Sequence, residues 1–556
     1  MQDEDGIPAT PSAPAGVAPH QRRAFWGVFC LFFSVFLLST SRERPWADAR
    51  PVHQAAHNLV RHGTLHVTRI WPPGSPAGRG GRYYAVNPIL PTLVHVPGAF
   101  ANRVIMAKWP AAAAWSTPLT SHLGPAAAGA LACALFFLLA LAHRTPPRMA
   151  LAATAVLGLA TSLWVYARSP YSEIVQAAAF TGFLLALLRV ENEPTPRRAL
   201  VLGLAAGLLV NSKLAFALSV LAAAGLLAGW FRQQPRLLLR LGTFASLGLL
   251  PGLGLAASYN WLRWGSIFSS GYSPFLADFF HRGQGLVGLW GFLVSPGTSV
   301  FLYSPPLVLS LWGLGTFWRT QPRWALAVLG TTIPIVLLHA WSLFWHGGWN
   351  WGPRYLVFAL PAFALPALTL LSKWRARPRW RLQAALLTTL VAAGVVVQVA
   401  GNAFYWDHFQ RIVLEARTSW LGQPNRAGSI PGREGATCLA CFEDMHATNW
   451  LPPFSPVAGH LWLLRHVPFG HSWRRAAEDA PWTRETRLVL PIEKSYAKVR
   501  LDWWGLDYTF LPGARLLLFL GMLAPGLAGG VLLWLSLGQR RARSASAGGK
   551  AQALEP

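Results

Sequence analysis

The sequence has 556 residues, of which 53% are hydrophobic and 12% are charged. Soluble proteins carry about 25% charged residues, so this composition excludes a soluble globular protein and predicts a polytopic membrane protein. The net charge of +27 argues little for a nucleic-acid partner. Much of the excess arginine lies in short loops between hydrophobic segments, where positive charge sets membrane topology.

Hydrophobic segments recur along the chain and predict an all-α polytopic membrane bundle of about twelve transmembrane helices. They lie at residues 24–40, 121–142, 149–167, 173–190, 199–211, 213–230, 238–259, 299–317, 325–344, 355–372, 384–404 and 514–537. The arginine-rich loops all fall on one side of this bundle, which the positive-inside rule assigns to the cytoplasm. The prediction is a multi-pass protein of the inner (plasma) membrane with both termini cytoplasmic.

This pattern divides the chain into parts with different compositions. Residues 1–21 are predicted to be a disordered cytoplasmic N-terminus, and residues 22–404 a transmembrane domain that includes a first periplasmic loop, residues 41–120. Residues 405–513 are predicted to form an extracytoplasmic loop or subdomain. The last transmembrane helix, residues 514–537, precedes a disordered basic cytoplasmic tail, residues 538–556.

The first loop is too polar to cross a bilayer and too apolar to be an ordinary loop. Apolar residues recur at helical spacing from Val52 to Val60, and Gly63 follows, which predicts an amphipathic helix in the membrane interface. Asn87-Pro88 predicts the start of a second interfacial helix. Asp48 precedes the first helix. Its carboxylate is either the N-cap of that helix or a general base, and the sequence leaves both readings open.

Further polar side chains gather in turns on the same side of the bundle as the first loop. Lys213 interrupts an apolar hairpin, where it either extends to the interface or binds a phosphate. The glycine-rich stretch Trp345–Tyr355 is the most specific in the chain, because glycine lets the backbone approach a ligand and Arg354 offers a bidentate fork for phosphate. Candidate groove residues are Tyr83, Tyr84, Glu173, Asn260, Tyr272, His346 and Asn350.

The last large loop combines a cysteine pair with alternating apolar and polar residues. Cys438 and Cys441 form a CxxC pair, for which a local disulfide is the favoured state. A zinc site with His446 and His460 is the alternative, although the spacing matches no standard motif. The alternation near residues 487–490 and 498–501 predicts a few strands, and hence a small mixed α/β segment before the last helix.

The ordered set of these motifs resembles the polytopic C-type (GT-C fold) membrane glycosyltransferases, in particular the protein O-mannosyltransferase and lipid A aminoarabinose transferase group. The resemblance covers nearly the whole membrane part. It is carried by Asp48, Gly81-Arg-Tyr-Tyr84, Asn87-Pro88, Tyr171-Ser-Glu173, Lys213, Asn260 with Gly265, Gly271-Tyr272, Ser295-Pro296, and Gly348 with Gly352-Pro-Arg354.

The resemblance implies transfer of a sugar from a polyprenyl-phosphate donor to an acceptor hydroxyl on a lipid, glycan or protein. It implies that Asp48 is the catalytic base of an inverting reaction, and that Lys213, Arg354 and Arg263 bind the donor phosphate. Ala49 stands where many relatives carry a second acidic residue, so the metal requirement is unknown and a divalent cation stays open as a cofactor.

Two alternative functions also involve lipid-linked sugars or glycans. A transporter or flippase for lipid-linked glycans predicts ionisable residues at the mid-plane of several spans, whereas the spans here are almost free of them. A glycan polymerase or ligase shares the topology and differs in taking a lipid-linked oligosaccharide as its donor.

Overall fold

The computed structural model describes residues 19–45, 47–68, 75–273, 285–374, 380–421, 445–506 and 512–552. The predicted disulfide pair, Cys438 and Cys441, lies outside the described residues, as do residues 1–18 of the predicted N-terminal segment. Nearly all regular structure is helical. Two short strands, β1 (His66–Val67) and β2 (Tyr83–Tyr84), pair antiparallel in the first loop.

The helices follow one another with short connections. In the first half they are α1 (Pro19–Leu38), α2 (Ala49–His62), α3 (Ile89–Lys108), α4 (Ala113–Ser121), α5 (Leu123–Ala142), α6 (Pro147–Leu159), α7 (Leu163–Ala167), α8 (Glu173–Asn192), α9 (Pro196–Ser212), α10 (Ala217–Trp230) and α11 (Pro235–Trp264). In the second half they are α12 (Gly285–Val294), α13 (Val300–Tyr303), α14 (Val308–Thr320), α15 (Pro322–Ala340), α16 (Leu360–Phe363), α17 (Leu365–Trp374), α18 (Trp380–Ala403), α19 (Trp406–Leu421), α20 (Met445–Trp450), α21 (Pro456–His466), α22 (Trp473–Glu478), α23 (Thr483–Thr486), α24 (Glu493–Tyr496) and α25 (Pro512–Gln552).

Within the described ranges, nine helical segments are long and apolar enough to cross a membrane. They are Pro19–Leu38, Ile89–Lys108, Ser116–Ala142, Glu173–Asn192, Pro235–Trp264, Pro322–Ala340, Arg354–Ser372, Arg381–Ala403 and Arg515–Ser536. This confirms the prediction of an all-α multi-pass membrane protein. The segment Ile89–Lys108, which the sequence predicts to lie in the interface, meets the same criterion of length and apolarity.

The core of the bundle forms around α5 and α8. Phe136 and Phe137 on α5 and Phe180 and Phe183 on α8 are at most 1% exposed. Close helix contacts elsewhere depend on small residues: a Cβ at Gly203 would lie 1.9 Å from the carbonyl oxygen of Ala245 on the neighbouring helix α11. This packing fixes the ends of α8 and α9, from which two of the candidate site residues extend.

The first loop contains the amphipathic helix that the sequence predicts. Helix α2 ends at Gly63, whose φ of +66° is the left-handed conformation that glycine adopts without strain. One face of α2 is buried through Val52, Ala55 and Ala56, while the opposite face is polar. The helix lies against α3, so the loop is a packed part of the structure and not a tether.

Residues 445–506 and α19 form a second, smaller core around Phe409, Trp462 and Trp482. The prediction of strands at residues 487–490 and 498–501 was wrong: neither stretch forms a strand, and the described part of residues 405–513 is helical where it is regular. Alternation alone does not make a strand, because a ladder also needs a partner. Here Leu490 and Ile492 insert into the helical core instead.

The last helix is longer than the sequence predicts. Helix α25 continues to Gln552, so the predicted disordered tail from residue 538 is helical through that residue. At the other end of the chain, α1 packs against α25, and Ser34 Oγ donates to the carbonyl oxygen of Met522. The first and last membrane helices are therefore neighbours.

Candidate active site

Four segments that are distant in sequence meet at one end of the bundle. Asp48 precedes α2, Glu173 begins α8, Lys213 follows α9, and Arg354 begins a 3-10 helix, Arg354–Ala359. Each side chain thus extends from a helix end, where it can leave the apolar interior without breaking backbone hydrogen bonds. We call these four side chains the ionic cluster.

Arg354 is the centre of the ionic cluster. Its Nε donates to Glu173 Oε1 at 2.9 Å, and its Nη2 donates to Asp48 Oδ2. The side chains of Arg354 and Glu173 are only 9% and 4% exposed. The guanidinium thus lies between the two carboxyl groups and fixes the position of both.

Asp48 lies at the N-cap position of α2 but does not cap the helix. Its side chain makes no capping hydrogen bond, because Oδ2 accepts from Arg354. The other oxygen, Oδ1, is buried and has no hydrogen-bond partner among the described residues. Ala47, immediately before it, has a φ of +48°, a conformation that is costly for a residue with a Cβ. These observations argue against the helix-cap reading of Asp48.

Glu173 presents a second carboxylate oxygen to the same region. Its Oε2 is buried and lacks a hydrogen-bond partner within the described ranges. As the first residue of α8, Glu173 also lies at the positive end of the helix dipole, which stabilises its negative charge. The ionic cluster therefore carries two anchored carboxylates, each with one oxygen left for a ligand.

Lys213 lies beside the carboxylates without forming an ion pair with either among the described residues. Its Nζ is 3.2 Å from Nε2 of His339 and 4.6 Å from the centre of the Tyr355 ring. Burial lowers the pKa of its ammonium group to about 8. Neither contact carries a negative charge, so the ammonium is the cation of the cluster that is best placed to meet an incoming anion.

Aromatic rings enclose the cluster. The guanidinium carbon of Arg354 lies 4.4 Å from the centre of the Tyr171 ring, a cation–π contact. Burial raises the pKa of the hydroxyls of Tyr171 and Tyr272, and the nearby charge of Asp48 raises both further. Both hydroxyls therefore stay protonated at neutral pH.

The glycine-rich stretch folds into a tight loop under Arg354. Gly347 and Gly348 have φ values of +80° and +81°, which only glycine adopts easily. Asn350 Nδ2 donates to the carbonyl oxygens of His346 and Gly348 at 2.8 and 3.0 Å. The two predicted groove residues His346 and Asn350 thus hold the loop in shape, and Arg354 donates back to the carbonyl oxygen of Gly347 at 3.4 Å.

A second group of predicted residues forms around Arg263 on α11. Its guanidinium donates to the carbonyl oxygens of Ala85 and Asn87 and to Asn260 Oδ1 at 2.5, 3.0 and 2.9 Å. The residue is 2% exposed, so it ties the segment before α3 to the end of α11. Its assignment to the donor phosphate stays a prediction.

The remaining groove candidates lie in the first loop. Tyr83 is 40% exposed, whereas Tyr84 is buried against Trp264. Next to the ionic cluster, a narrow crevice separates the start of α2 from the start of α8. Its lining residues are Asp48, Ala49, Val52, Asn87, Pro170, Tyr171 and Ser172.

Two contacts near the site were not predicted from the sequence. Arg168 Nη2 pairs with Asp502 Oδ2 at 2.9 Å, with both side chains 4% exposed, and this pair fastens the second core to the membrane bundle. His339 is the partner of Lys213. The sequence could have marked His339 as a candidate site residue, because a histidine inside an otherwise apolar span is unusual. Nothing in the sequence indicates that Arg168 pairs with a residue 334 positions away.

Among the described residues, no group of three or more His, Cys, Asp and Glu side chains is placed to hold a metal ion. Fold and site together define a multi-pass helical membrane protein with a buried Asp–Arg–Glu cluster and an adjacent lysine at one end of the bundle.

Comparison with known proteins finds similarity to solved structures alone. No family model and no curated protein sequence matches the chain. The structure of ArnT from Cupriavidus metallidurans bound to undecaprenyl phosphate is 16% identical and covers 97% of this chain and 82% of its own, with a TM-score of 0.42.

The archaeal oligosaccharyltransferase AglB from Archaeoglobus fulgidus, in complex with an inhibitory peptide and a dolichol-phosphate, is 14% identical. The match covers 71% of this chain and 58% of AglB, with a TM-score of 0.42.

Proposed function

We propose that the chain is a GT-C membrane glycosyltransferase, which moves a hexosyl or pentosyl group from a polyprenyl-phosphate sugar to an acceptor hydroxyl at the extracytoplasmic face. The observation that carries the proposal is the ionic cluster. In it, Asp48 makes no capping hydrogen bond to α2 and instead pairs with Arg354 beside Lys213. The ordered motifs of the sequence, which resemble this class of enzyme, support the same function.

In the proposed reaction Asp48 is the general base. Its Oδ1 atom, which has no hydrogen-bond partner among the described residues, accepts the proton of the acceptor hydroxyl as the hydroxyl oxygen forms its bond to the anomeric carbon. The bond from that carbon to the phosphate oxygen breaks on the opposite face of the sugar, so the configuration inverts. The electron pair of this bond stays on the phosphate, which leaves as polyprenyl phosphate.

The proposal divides the two cations by role. Arg354 already donates to two carboxylates, so we assign it to positioning Asp48 and Glu173. Lys213 has no anionic partner among the described residues, so we assign it to the donor phosphate, where it stabilises the charge that grows on the leaving group.

The proposal includes the topology that the arginine-rich loops predict. The ionic cluster would face the periplasm, both termini would lie in the cytoplasm, and residues 405–513 would cover the extracytoplasmic side. The segments 168–173, 345–354 and 502–504 meet the first loop at one end of the bundle, as this topology requires.

The experiment that tests the proposal is sugar transfer in membranes that contain the wild-type chain, supplied with a panel of radiolabelled polyprenyl-phosphate sugars. We expect one donor to transfer its label to an extractable product. If the well-folded protein transfers from no donor but moves labelled lipid-linked glycans across vesicles, the flippase alternative replaces this proposal. If only lipid-linked oligosaccharides serve as donors, the polymerase or ligase alternative replaces this proposal.

Donor binding should depend on pH through Lys213. With its pKa at about 8, the ammonium is charged below that pH and loses its proton above it. A phosphodiester keeps its single negative charge over the same range, so we expect the dissociation constant of the donor to be flat near pH 7 and to rise by up to about tenfold per pH unit above pH 8.

The matched variant for this measurement is Lys213→Arg, because arginine stays charged throughout. Its binding curve should be flat from pH 7 to pH 9.5. If the dissociation constant of the wild type does not change with pH, Lys213 does not bind the donor phosphate. The same conclusion follows if the dissociation constant of Lys213→Arg rises above pH 8 as in the wild type.

A further inference from the structure

A large cavity lies on the other side of α2 from the crevice at Asp48. Its volume is about 900 Å³. The polar face of α2 forms one wall, the segment 42–45 and the start of α19 form another, and Lys498 lies at the rim. Its lining residues include Arg50, His53, Gln54, His57, Asn58 and Arg61. None of the functions assigned above uses this space.

The cavity is strongly basic. Six cationic side chains line it against two carboxylates, Glu43 and Asp407. Asp407 is already paired with Arg411 at 2.6 Å. Burial keeps the imidazoles of His53 and His57 neutral, since it lowers the pKa of His53 and lowers that of His57 to about 4. The excess positive charge in this cavity therefore comes from arginine and lysine.

Some buried polar atoms in the lining lack hydrogen-bond partners among the described residues. Asn102 is 1% exposed, and its Oδ1 has no hydrogen-bond partner among the described residues. The Nη2 atom of Arg42 is likewise buried and unpartnered there. Such groups are costly to leave unsatisfied, so this lining is suited to a polar ligand and not to a hydrocarbon chain.

The position of the cavity indicates what enters it. Asn102 belongs to α3, and Thr117 and Pro118 belong to α4, both parts of candidate membrane spans. The opposite wall comes from α19, a 16-residue helix that is not among the candidate membrane spans. The cavity thus lies at the level of a membrane surface, where the headgroup of an amphiphile would lie while its tails remain in the bilayer.

We infer that this cavity holds the anionic headgroup of a membrane-lipid acceptor and presents its hydroxyl to Asp48 at the nearby end of α2. The inference rests on the proposed function and names its acceptor class: an amphiphile that carries phosphate groups. Donor and acceptor anions are then bound apart, the donor by Lys213 and the acceptor by the arginines and lysine of the cavity.

The test is binding to the full-length protein in neutral detergent, with dodecyl phosphate as the lipid-headgroup probe and inorganic phosphate as the free-anion probe. The variant is Arg44→Gln/Arg61→Gln/Lys498→Gln, in which all three side chains are exposed and folding should be unaffected. The matched control replaces three exposed cations outside the cavity, Arg474, Arg475 and Arg484, by glutamine.

We expect dodecyl phosphate to bind the wild type and the control equally, and to bind the cavity variant at least tenfold more weakly. Polyprenyl phosphate binding should change by less than twofold in the cavity variant and should fall in Lys213→Met. Once a donor is found, the acceptor KM should rise in the cavity variant with kcat nearly unchanged.

Three results would overturn the inference. Equal binding of dodecyl phosphate by the cavity variant and the control would show that the cavity cations do not bind the headgroup. Equally tight binding of inorganic phosphate would make a free anion the ligand. Loss of polyprenyl phosphate binding in the cavity variant would make the cavity a donor site. None of these binding results depends on sugar transfer. A failure of the proposed function would therefore appear separately, in the transfer experiment with radiolabelled polyprenyl-phosphate sugars.

Discussion

Replacing Asp48 with asparagine is expected to lower sugar transfer by about 10²–10⁴-fold, the contribution of a positioned general base, while the protein keeps its fold. Asparagine preserves the shape and an oxygen that can accept from Arg354, so the ion pair becomes a hydrogen bond. What it removes is the basicity of Oδ1, the buried oxygen that has no partner among the described residues. The measurement is transfer of labelled sugar by purified wild type and variant at equal concentration.

The control for this variant is Asp479→Asn. Asp479 contacts His466 at 3.2 Å in the second core and is 50% exposed, so removal of its charge should leave transfer unchanged. Equal melting temperatures of all three proteins would exclude a folding defect. Transfer retained by Asp48→Asn would reduce Asp48 to an anchor for Arg354 and move the search for the base to Glu173.

Replacing Arg354 with leucine is expected to have the largest effect on both stability and activity. Removal of one partner from a buried ion pair costs about 3–5 kcal/mol, and here it leaves Asp48 and Glu173 without the guanidinium that pairs with both. The free energy of unfolding, measured by denaturant titration in detergent, should fall by about that amount, and transfer should be lost.

A second variant separates the charge effect from the loss of packing. In Arg354→Leu/Glu173→Gln one of the two uncompensated carboxylates is gone, so part of the lost stability should return. Arg323→Leu is the matched control, because Arg323 is 54% exposed and pairs with Glu191 on the surface, where such pairs contribute about 0–1 kcal/mol. No recovery in the double variant would mean that repulsion between the carboxylates is not what Arg354 relieves.

The positions of the helices and the polar face of α2 were predictable because these features depend on residues close in sequence. The apolar spacing from Val52 to Val60 and the following Gly63 predicted α2, and each predicted span coincides with helix in the structure. The strand prediction failed because alternation says nothing about whether a partner strand is present.

The sequence by itself determined a helical membrane protein, an amphipathic helix after the first span, and the residues that needed an explanation: Asp48, Glu173, Lys213 and Arg354. Only the tertiary structure decided what these residues do to one another. Asp48 and Arg354 are 306 positions apart, and Glu173 and Arg354 are 181 apart. Contacts over such distances depend on how the whole bundle packs, and no local pattern encodes them. The same packing decided that Asp48 leaves its helix uncapped and that Arg263 binds backbone carbonyls.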